Sequence, residues 1–155
     1  MHIIWRDSSD SKNYEQARVK NVFNLDRPKY FPQAVVTATC AKDVIAAVKI
    51  AQQEECQLAV RSGGHSTPVW SLQEHSILLN LGSWKEIIVD TKSNTAKVTT
   101  SVTGQELNRH LQTQHGLMFP AGHCPDVGLG GFMLQGGQGW NCRVCHSSSV
   151  HPLRY

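Results

Sequence analysis

The sequence predicts a two-layer α+β domain, and three observations carry that prediction. Short apolar runs such as Ala34-Val35-Val36-Thr37 and Ser76-Ile77-Leu78-Leu79-Asn80-Leu81 have the length and composition of buried strands. Two longer stretches place apolar residues at helical spacing, with Val44, Ala47, Val48 and Ala51 on one face and Leu107 and Leu111 on another. The order along the chain, strand–helix–strand–loop–strands–helix, suits helices packed on a sheet layer. At 155 residues the chain is one domain at most, long enough for a real core.

Each element has a local reason. Tyr14 to Phe23 reads as a short helix, and Asn24 to Pro28 as a turn or linker. After the strand Ala34 to Thr37, Thr39 is placed to cap a helix that runs through Gln53. Glu54-Glu55-Cys56 closes it, and Gln57 to Arg61 is the next strand. Ser76 to Leu81 follows as a strand, then Glu86 to Asp90 and Ala96 to Ser101 pair as a hairpin around Lys92-Ser93-Asn94. Thr103-Gly104-Gln105-Glu106 is a capping box, and its helix stops at Gly116. Residues 1–26 read as an N-terminal extension with a helix and 27–143 as the domain, incomplete at its C-terminus. Residues 144–155, with a serine run and no periodicity, read as an aberrant or disordered tail.

Composition excludes several classes of partner. A net charge of +3 without a basic stripe gives no support for nucleic-acid binding. No segment approaches the roughly 20 apolar residues of a membrane span. Met1 to Asp7 lacks a hydrophobic h-region, so no signal peptide is expected and localisation stays open. Five cysteines form no tidy disulfide framework.

Two glycine-rich motifs carry the chemistry. Leu58-Ala59-Val60 delivers the backbone into Arg61-Ser62-Gly63-Gly64-His65-Ser66. A glycine pair permits φ > 0 and close ligand approach, and its consecutive N–H groups can form an anion-binding nest beside a reaching histidine. The second motif is Gly122-His123-Cys124-Pro125-Asp126-Val127-Gly128-Leu129-Gly130-Gly131-Phe132, continuing into Gly136-Gly137-Gln138-Gly139-Trp140. Seven of the 12 glycines fall in the 18 positions from Gly122 to Gly139. Val127, Leu129, Phe132, Met133, Leu134 and Trp140 are too apolar for a linker, so a backbone lies here against something flat and buried. The segment lacks the G-x-G-x-x-G spacing of a Rossmann site and the G-K-[ST] ending of a P-loop.

Taken together, Arg-Ser-Gly-Gly-His-Ser followed by Cys-Pro-x-Val-Gly-x-Gly-Gly-Phe resembles the FAD-binding domain of flavin-linked oxidases. These are of the vanillyl-alcohol-oxidase and p-cresol-methylhydroxylase (PCMH) type, nearest the berberine-bridge-enzyme-like branch. The likeness runs from about Tyr14 to Arg143, with His65 and Cys124 separated by 59 positions. The resemblance implies that His65 bonds covalently to the flavin 8α-methyl. It implies that Cys124, before Pro125, matches the cysteine that many members bond to flavin C6. The backbone of Arg61, Ser62, Gly63, Gly64, His65 and Ser66 would hold the pyrophosphate. Cys124, Pro125, Val127, Gly128, Gly130 and Gly131 would line the cofactor. The implied activity is oxidation of an alcohol or sugar-type small molecule by hydride transfer to FAD, with dioxygen as acceptor. The family's substrate domain and catalytic base would lie downstream, so no catalytic residue is assigned, and His123 and Asp126 receive no role.

Two other readings remain open. One is a non-catalytic truncated remnant of such an enzyme. The other is a small haem or metal protein, because Cys142-Arg143-Val144-Cys145-His146 fits the C-x-x-C-H haem-attachment pattern. Cys142, Cys145, His146 and His151 could also be read as zinc ligands, although structural zinc sites favour better-spaced pairs.

Overall fold

The computed structural model describes residues 1–7, 9, 11–22, 24, 27–140 and 153–154. The chain divides into two compact units, Met1–Trp84 and Lys85–Tyr155.

The first unit is built on a four-stranded sheet. Its elements are β1 (His2–Trp5), α1 (Ser11–Arg18), β2 (Ala34–Thr37), α2 (Ala41–Gln53), β3 (Gln57–Arg61) and β4 (Ser76–Asn80). The strand order is β1-β2-β4-β3. Strands β2 and β3 both run parallel to β4, and β1 lies antiparallel to β2. Every residue of β4 is buried, as expected for a central strand of a parallel sheet. Its side chains alternate between two faces. Ile77 and Leu79 join Ala34, Val36, Ala47 and Ala51 under α2. Leu78 and Val35 join Tyr14, Val69 and Leu72 on the other face. Both faces of the sheet are therefore covered. Tyr14 anchors α1 there, with its hydroxyl donating to the Pro32 carbonyl at 2.6 Å. Burial pushes its pKa up to about 12.

Several expectations need correction in this unit. The first helix is Ser11–Arg18, not Tyr14 to Phe23. It ends early because Asn21 takes a left-handed φ of 62°, a conformation Asn tolerates and a helix does not. Phe23 itself lies outside the described residues. Thr39 is not the cap of α2: Cys40 holds the N-cap position without a side-chain hydrogen bond. Instead the Asp43 carboxylate reaches back to accept from the Thr39 N–H at 2.9 Å and hydroxyl at 3.0 Å. Val48, expected on the inner face, is 39% exposed, whereas Val44 and Ile50 pack against the core. Strand β1 has no counterpart in the expected elements, and it joins the sheet from within the residues read as an extension.

The second unit pairs a hairpin with a helix. Its elements are β5 (Ile87–Asp90), β6 (Thr95–Val98), α3 (Gly104–His115), β7 (Leu117–Met118), α4 (Leu129–Leu134) and β8 (Leu153–Arg154). Strands β5 and β6 are antiparallel, as expected. Asn94 takes φ 52° in their turn, and Asp90 Oδ1 accepts from the Lys92 N–H at 2.9 Å. Ile87, Val89 and Val98 face Val102, Leu107, Leu111, Leu117, Phe119 and Leu129 in one apolar cluster. Strand β8 lies antiparallel to β7. The capping box is present: Thr103 Oγ1 accepts from the Glu106 N–H at 3.2 Å, and Glu106 Oε2 accepts from the Thr103 N–H at 2.8 Å. Gly116 closes α3 at φ 62°.

Glu106 is also the partner of Lys85, whose Nζ lies 2.5 Å from Oε1. Burial alone would raise the Glu106 pKa, but hydrogen bonds from Lys85 and the Thr103 N–H outweigh it and hold the carboxyl below its ordinary value. A carboxylate with a depressed folded-state pKa stabilises fully above its unfolded value, about 4.3. That contribution is lost as the pH falls through the folded value. Chemical unfolding should therefore show Glu106→Gln less stable than wild type at pH 7, with the gap narrowing toward pH 3. Thr103→Ala should cost about 1 kcal/mol with little pH dependence, because a neutral hydroxyl cap is lost.

Candidate functional site

Strand β3 ends at Arg61, which pairs with Asn80 at the end of β4. Residues 62–66 therefore leave the sheet at the carboxyl ends of two adjacent parallel strands, where open α/β sheets bind ligands. Ser62, Gly63, Gly64, His65 and Ser66 are all half-buried, so the loop lies neither in the core nor free on the surface.

The loop is braced from below. The Arg61 side chain is 2% exposed and turns inward. Its Nη1 donates to the Arg18 carbonyl at 2.5 Å and its Nη2 to the Ala17 carbonyl at 2.7 Å. These are terminal carbonyls of α1, the negative end of the helix, and a cation is favoured there. Burial lowers the Arg61 pKa to about 10, which leaves it protonated at neutral pH. Arg18 is buried in turn. Its Nε donates to Glu15 at 2.7 Å, its Nη1 to the Pro28 carbonyl at 2.9 Å, and its guanidinium lies 4.6 Å from the Phe31 ring centroid.

Gly64 has φ +77°, and a Cβ there would lie 3.0 Å from Asn21 Cβ and 3.2 Å from the Asn21 carbonyl oxygen. The turn after α1 thus sits directly under the second glycine of the motif. Beyond β4, Asn80 Oδ1 accepts from the Gly82 N–H at 3.2 Å, which fixes the neighbouring loop. Asn21, Asn80 and Gly82 were not among the expected site residues. An Asn just past a helix is a sequence signal for a left-handed residue; the pairing of Asn80 with Gly82 has no comparable signal. Downstream, the Ser66 carbonyl accepts from the Val69 N–H at 3.2 Å. Val69 is 2% exposed and takes φ 53°, an unfavourable conformation for a β-branched residue.

The second motif lies in the second unit. Cys124 is half-buried, its carbonyl accepts from the Val127 N–H at 3.4 Å, and its thiol is in no disulfide. Pro125 is exposed and its carbonyl accepts from the Gln105 N–H at 3.2 Å. The Val127 carbonyl accepts from the Gly104 N–H at 3.2 Å. Two N–H groups at the start of α3 are thus satisfied by the motif itself. Gly128 is buried and bridges to Thr103. The Leu129 N–H donates to the Val102 carbonyl at 2.8 Å and the Gly130 N–H to the Thr100 carbonyl at 2.9 Å. Residues 128–134 are not all loop: Leu129–Leu134 form α4, which the glycine content hides from sequence reasoning.

The glycines of this segment divide by what surrounds them. A Cβ on Gly130 would meet Thr100 Cβ at 2.7 Å, so packing within the chain requires that glycine. A Cβ on Gly131 would meet nothing within 4 Å, and the residue is exposed. A helical glycine costs stability relative to alanine, and no contact in the described chain explains Gly131. His123, given no role from sequence, accepts a hydrogen bond at Nδ1 from Trp140 Nε1 at 2.9 Å. The contact ties the end of the glycine-rich segment back beside Cys124.

Among the described residues no cluster of His, Cys, Asp and Glu could hold a metal ion. Cys142, Cys145, His146 and His151, which carry the haem and zinc readings, lie outside the described residues. No helix among the described residues is long and apolar enough to cross a membrane.

The comparisons with known proteins agree with the two motifs. Residues 32–155 match the family described as FAD binding domain, and the chain belongs to that family. It is 40% identical over 141 residues to the FAD-linked oxidoreductase nodO of Hypoxylon pulicicidum, covering 91% of this chain and 31% of that protein. Among solved structures it is similar to Physcomitrella patens BBE-like 1, with a TM-score of 0.81 and 30% identity over 92% of this chain and 30% of that one. It is also similar to 6-hydroxy-D-nicotine oxidase from Arthrobacter nicotinovorans, with a TM-score of 0.78 and 26% identity over 91% of this chain and 30% of that one. The expected α+β, PCMH-type fold is therefore present, and the chain spans about 31% of the length of the relatives it matches first.

The bracing of the first loop is testable. Gly64→Ala should destabilise the chain by roughly 1–2 kcal/mol, because φ +77° is unfavourable for alanine and Asn21 blocks its Cβ. Pairing it with Asn21→Gly removes the Cβ contact, though not the one to the residue-21 carbonyl, and should recover part of the loss. Urea unfolding of wild type, single and double variants measures both effects.

Proposed function

We propose that this chain is the FAD-binding part of a covalent flavoprotein oxidoreductase. The observation that carries the reading is the half-buried Gly63-Gly64-His65 turn at the carboxyl ends of parallel strands β3 and β4. The loop's backbone suits an anionic pyrophosphate, as glycine-rich turns present consecutive N–H groups. The assignment of Gly131 in the second motif is supported by its open backbone face, which leaves room for a flat ring.

The named relatives support an oxidoreductase, because they are described as FAD-linked oxidoreductases and as an oxidase. When bound, FAD supplies the two-electron acceptor for hydride removal from a small-molecule substrate of the alcohol or sugar type, with dioxygen as the final acceptor. His65 is the proposed covalent tether, and Cys124 the proposed second one. Arg61 acts behind His65: its buried guanidinium fixes the strand end from which the loop departs. The thiolate is the reactive form of a cysteine, so Cys124 would attach as the thiolate. No described residue is assigned as the catalytic base.

The tether is checked by expressing the longest open reading frame that contains these residues. Flavin should stay with the protein after acid precipitation. His65→Ala should release most of it, and full retention would reassign the tether. Cys124→Ala should keep the flavin but change its absorption spectrum; an unchanged spectrum makes Cys124 a packing residue. Gly131→Ala should leave folding intact, or stabilise α4 by up to about 1 kcal/mol, while weakening FAD binding. Calorimetric titration with FAD beside thermal melting reads the two effects, and undiminished FAD affinity would remove Gly131 from the site.

A further inference from the structure

Residues 137–140, at the end of the glycine-rich segment, lie as a strap along residues 120–123. Three contacts place the strap there. A Cβ on Gly137 would meet the Phe132 ring at 2.5 Å and one on Gly122 would meet the same ring at 3.0 Å, so two glycine backbones pack that ring. A Cβ on Gly139 would fall on the Ala121 carbonyl oxygen, so only glycine lets the strap come this close. Last, Trp140 Nε1 donates to His123 Nδ1 at 2.9 Å, with the two rings edge to face and their centroids 5.1 Å apart. Trp140 is 78% exposed, so burial contributes little to holding it, and the contact with His123 is what fixes it. A ring nitrogen of histidine accepts a hydrogen bond only while it carries no proton. On protonation, two N–H groups would face each other in place of that bond. Imidazole changes its charge between about pH 5 and pH 8. Residues 117–122 and 129–140, on either side of the contact, carry no ionisable side chain. Cys124 and Asp126 are the titratable neighbours on the loop of His123 itself. At the start of α3, which meets this loop at Pro125 and Val127, the charged group is Glu106, already paired with Lys85.

We propose that residues 137–140 form a pH-operated strap, latched beside Cys124 by the Trp140–His123 hydrogen bond and released when His123 takes up a proton. The sign follows from the bond. The neutral imidazole accepts from Trp140, so the strap is closed at the alkaline end of the histidine range and opens as the pH falls through it. The glycine contacts at Phe132 and Ala121 shape the closed strap but do not titrate. Its release therefore belongs to one ring. Because His123 immediately precedes Cys124, opening also uncovers the thiol, which is half-buried in the closed form. The strap is a property of the chain itself and does not depend on the flavin reading.

The test follows the indole N–H of Trp140 by NMR in the full chain across the histidine range, with Trp140→Phe identifying the signal. In wild type the signal should shift in step with the ring protons of His123. His123→Gln supplies an amide oxygen that accepts but does not titrate, so its Trp140 signal should stay at the closed position at every pH. His123→Ala should hold it at the open position throughout. The second readout is labelling of Cys124 by N-ethylmaleimide, measured on its own peptide and taken as the ratio of wild type to His123→Gln at each pH, so that ionisation of the thiol cancels. The ratio should be near one at the alkaline end and rise about fivefold at the acid end, the equilibrium weight of one hydrogen bond. A Trp140 signal that ignores the His123 titration, or that shifts equally in His123→Gln, would overturn the latch. A labelling ratio constant across the range would overturn the uncovering of Cys124.

Discussion

The first unit depends on where Arg61 sends its guanidinium. A charge buried to 2% exposure is costly unless its donors are engaged, and the carbonyls of Ala17 and Arg18 engage two of its nitrogens. Those carbonyls are free only because α1 stops there, and it stops because Asn21 turns left-handed. The same Asn21 lies under Gly64. Helix end, strand end and glycine turn are therefore one braced piece, and His65 is presented by it. Residues 1–18 of what reads as an extension supply an edge strand to the sheet and the helix that receives Arg61.

The second unit uses the same economy of backbone groups. The Cys124–Gly130 segment and the Thr100–Gln105 segment satisfy one another in both directions: Gly104 and Gln105 donate to Val127 and Pro125, while Leu129 and Gly130 donate to Val102 and Thr100. Lys85 and the capping box then converge on one carboxylate, Glu106. The glycine-rich motif is thus clamped to the N-terminus of α3, and Cys124 sits at the fixed start of that clamp. A family defined by cofactor binding gains from such a clamp, since a pre-organised segment does not have to be ordered when its ligand arrives.

Much of this was legible in the sequence, for reasons that were local. The strand Ala34–Thr37 and the helix ending near Gln53 follow from runs of apolar residues at period two or 3.6. The capping box and Gly116 follow from side chains that bond their own backbone or tolerate positive φ. The two motifs, and the FAD-binding family they indicate, follow from residue types at fixed spacing. Tertiary structure alone decided the rest. His2–Trp5 is a strand only because β2 offers it an edge, and the six-residue α4 persists among glycines only because Leu129 is buried and the Val102 and Thr100 carbonyls hold its first turn. Val48 faces outward although its spacing matches Ala47 and Ala51, because the face α2 turns to the sheet is rotated away from Val48 toward Ile50. The inward turn of Arg61 depends on carbonyls far away in the chain. Local bonding and periodicity are written residue by residue, whereas the satisfaction of a buried polar group depends on which distant atoms folding brings beside it.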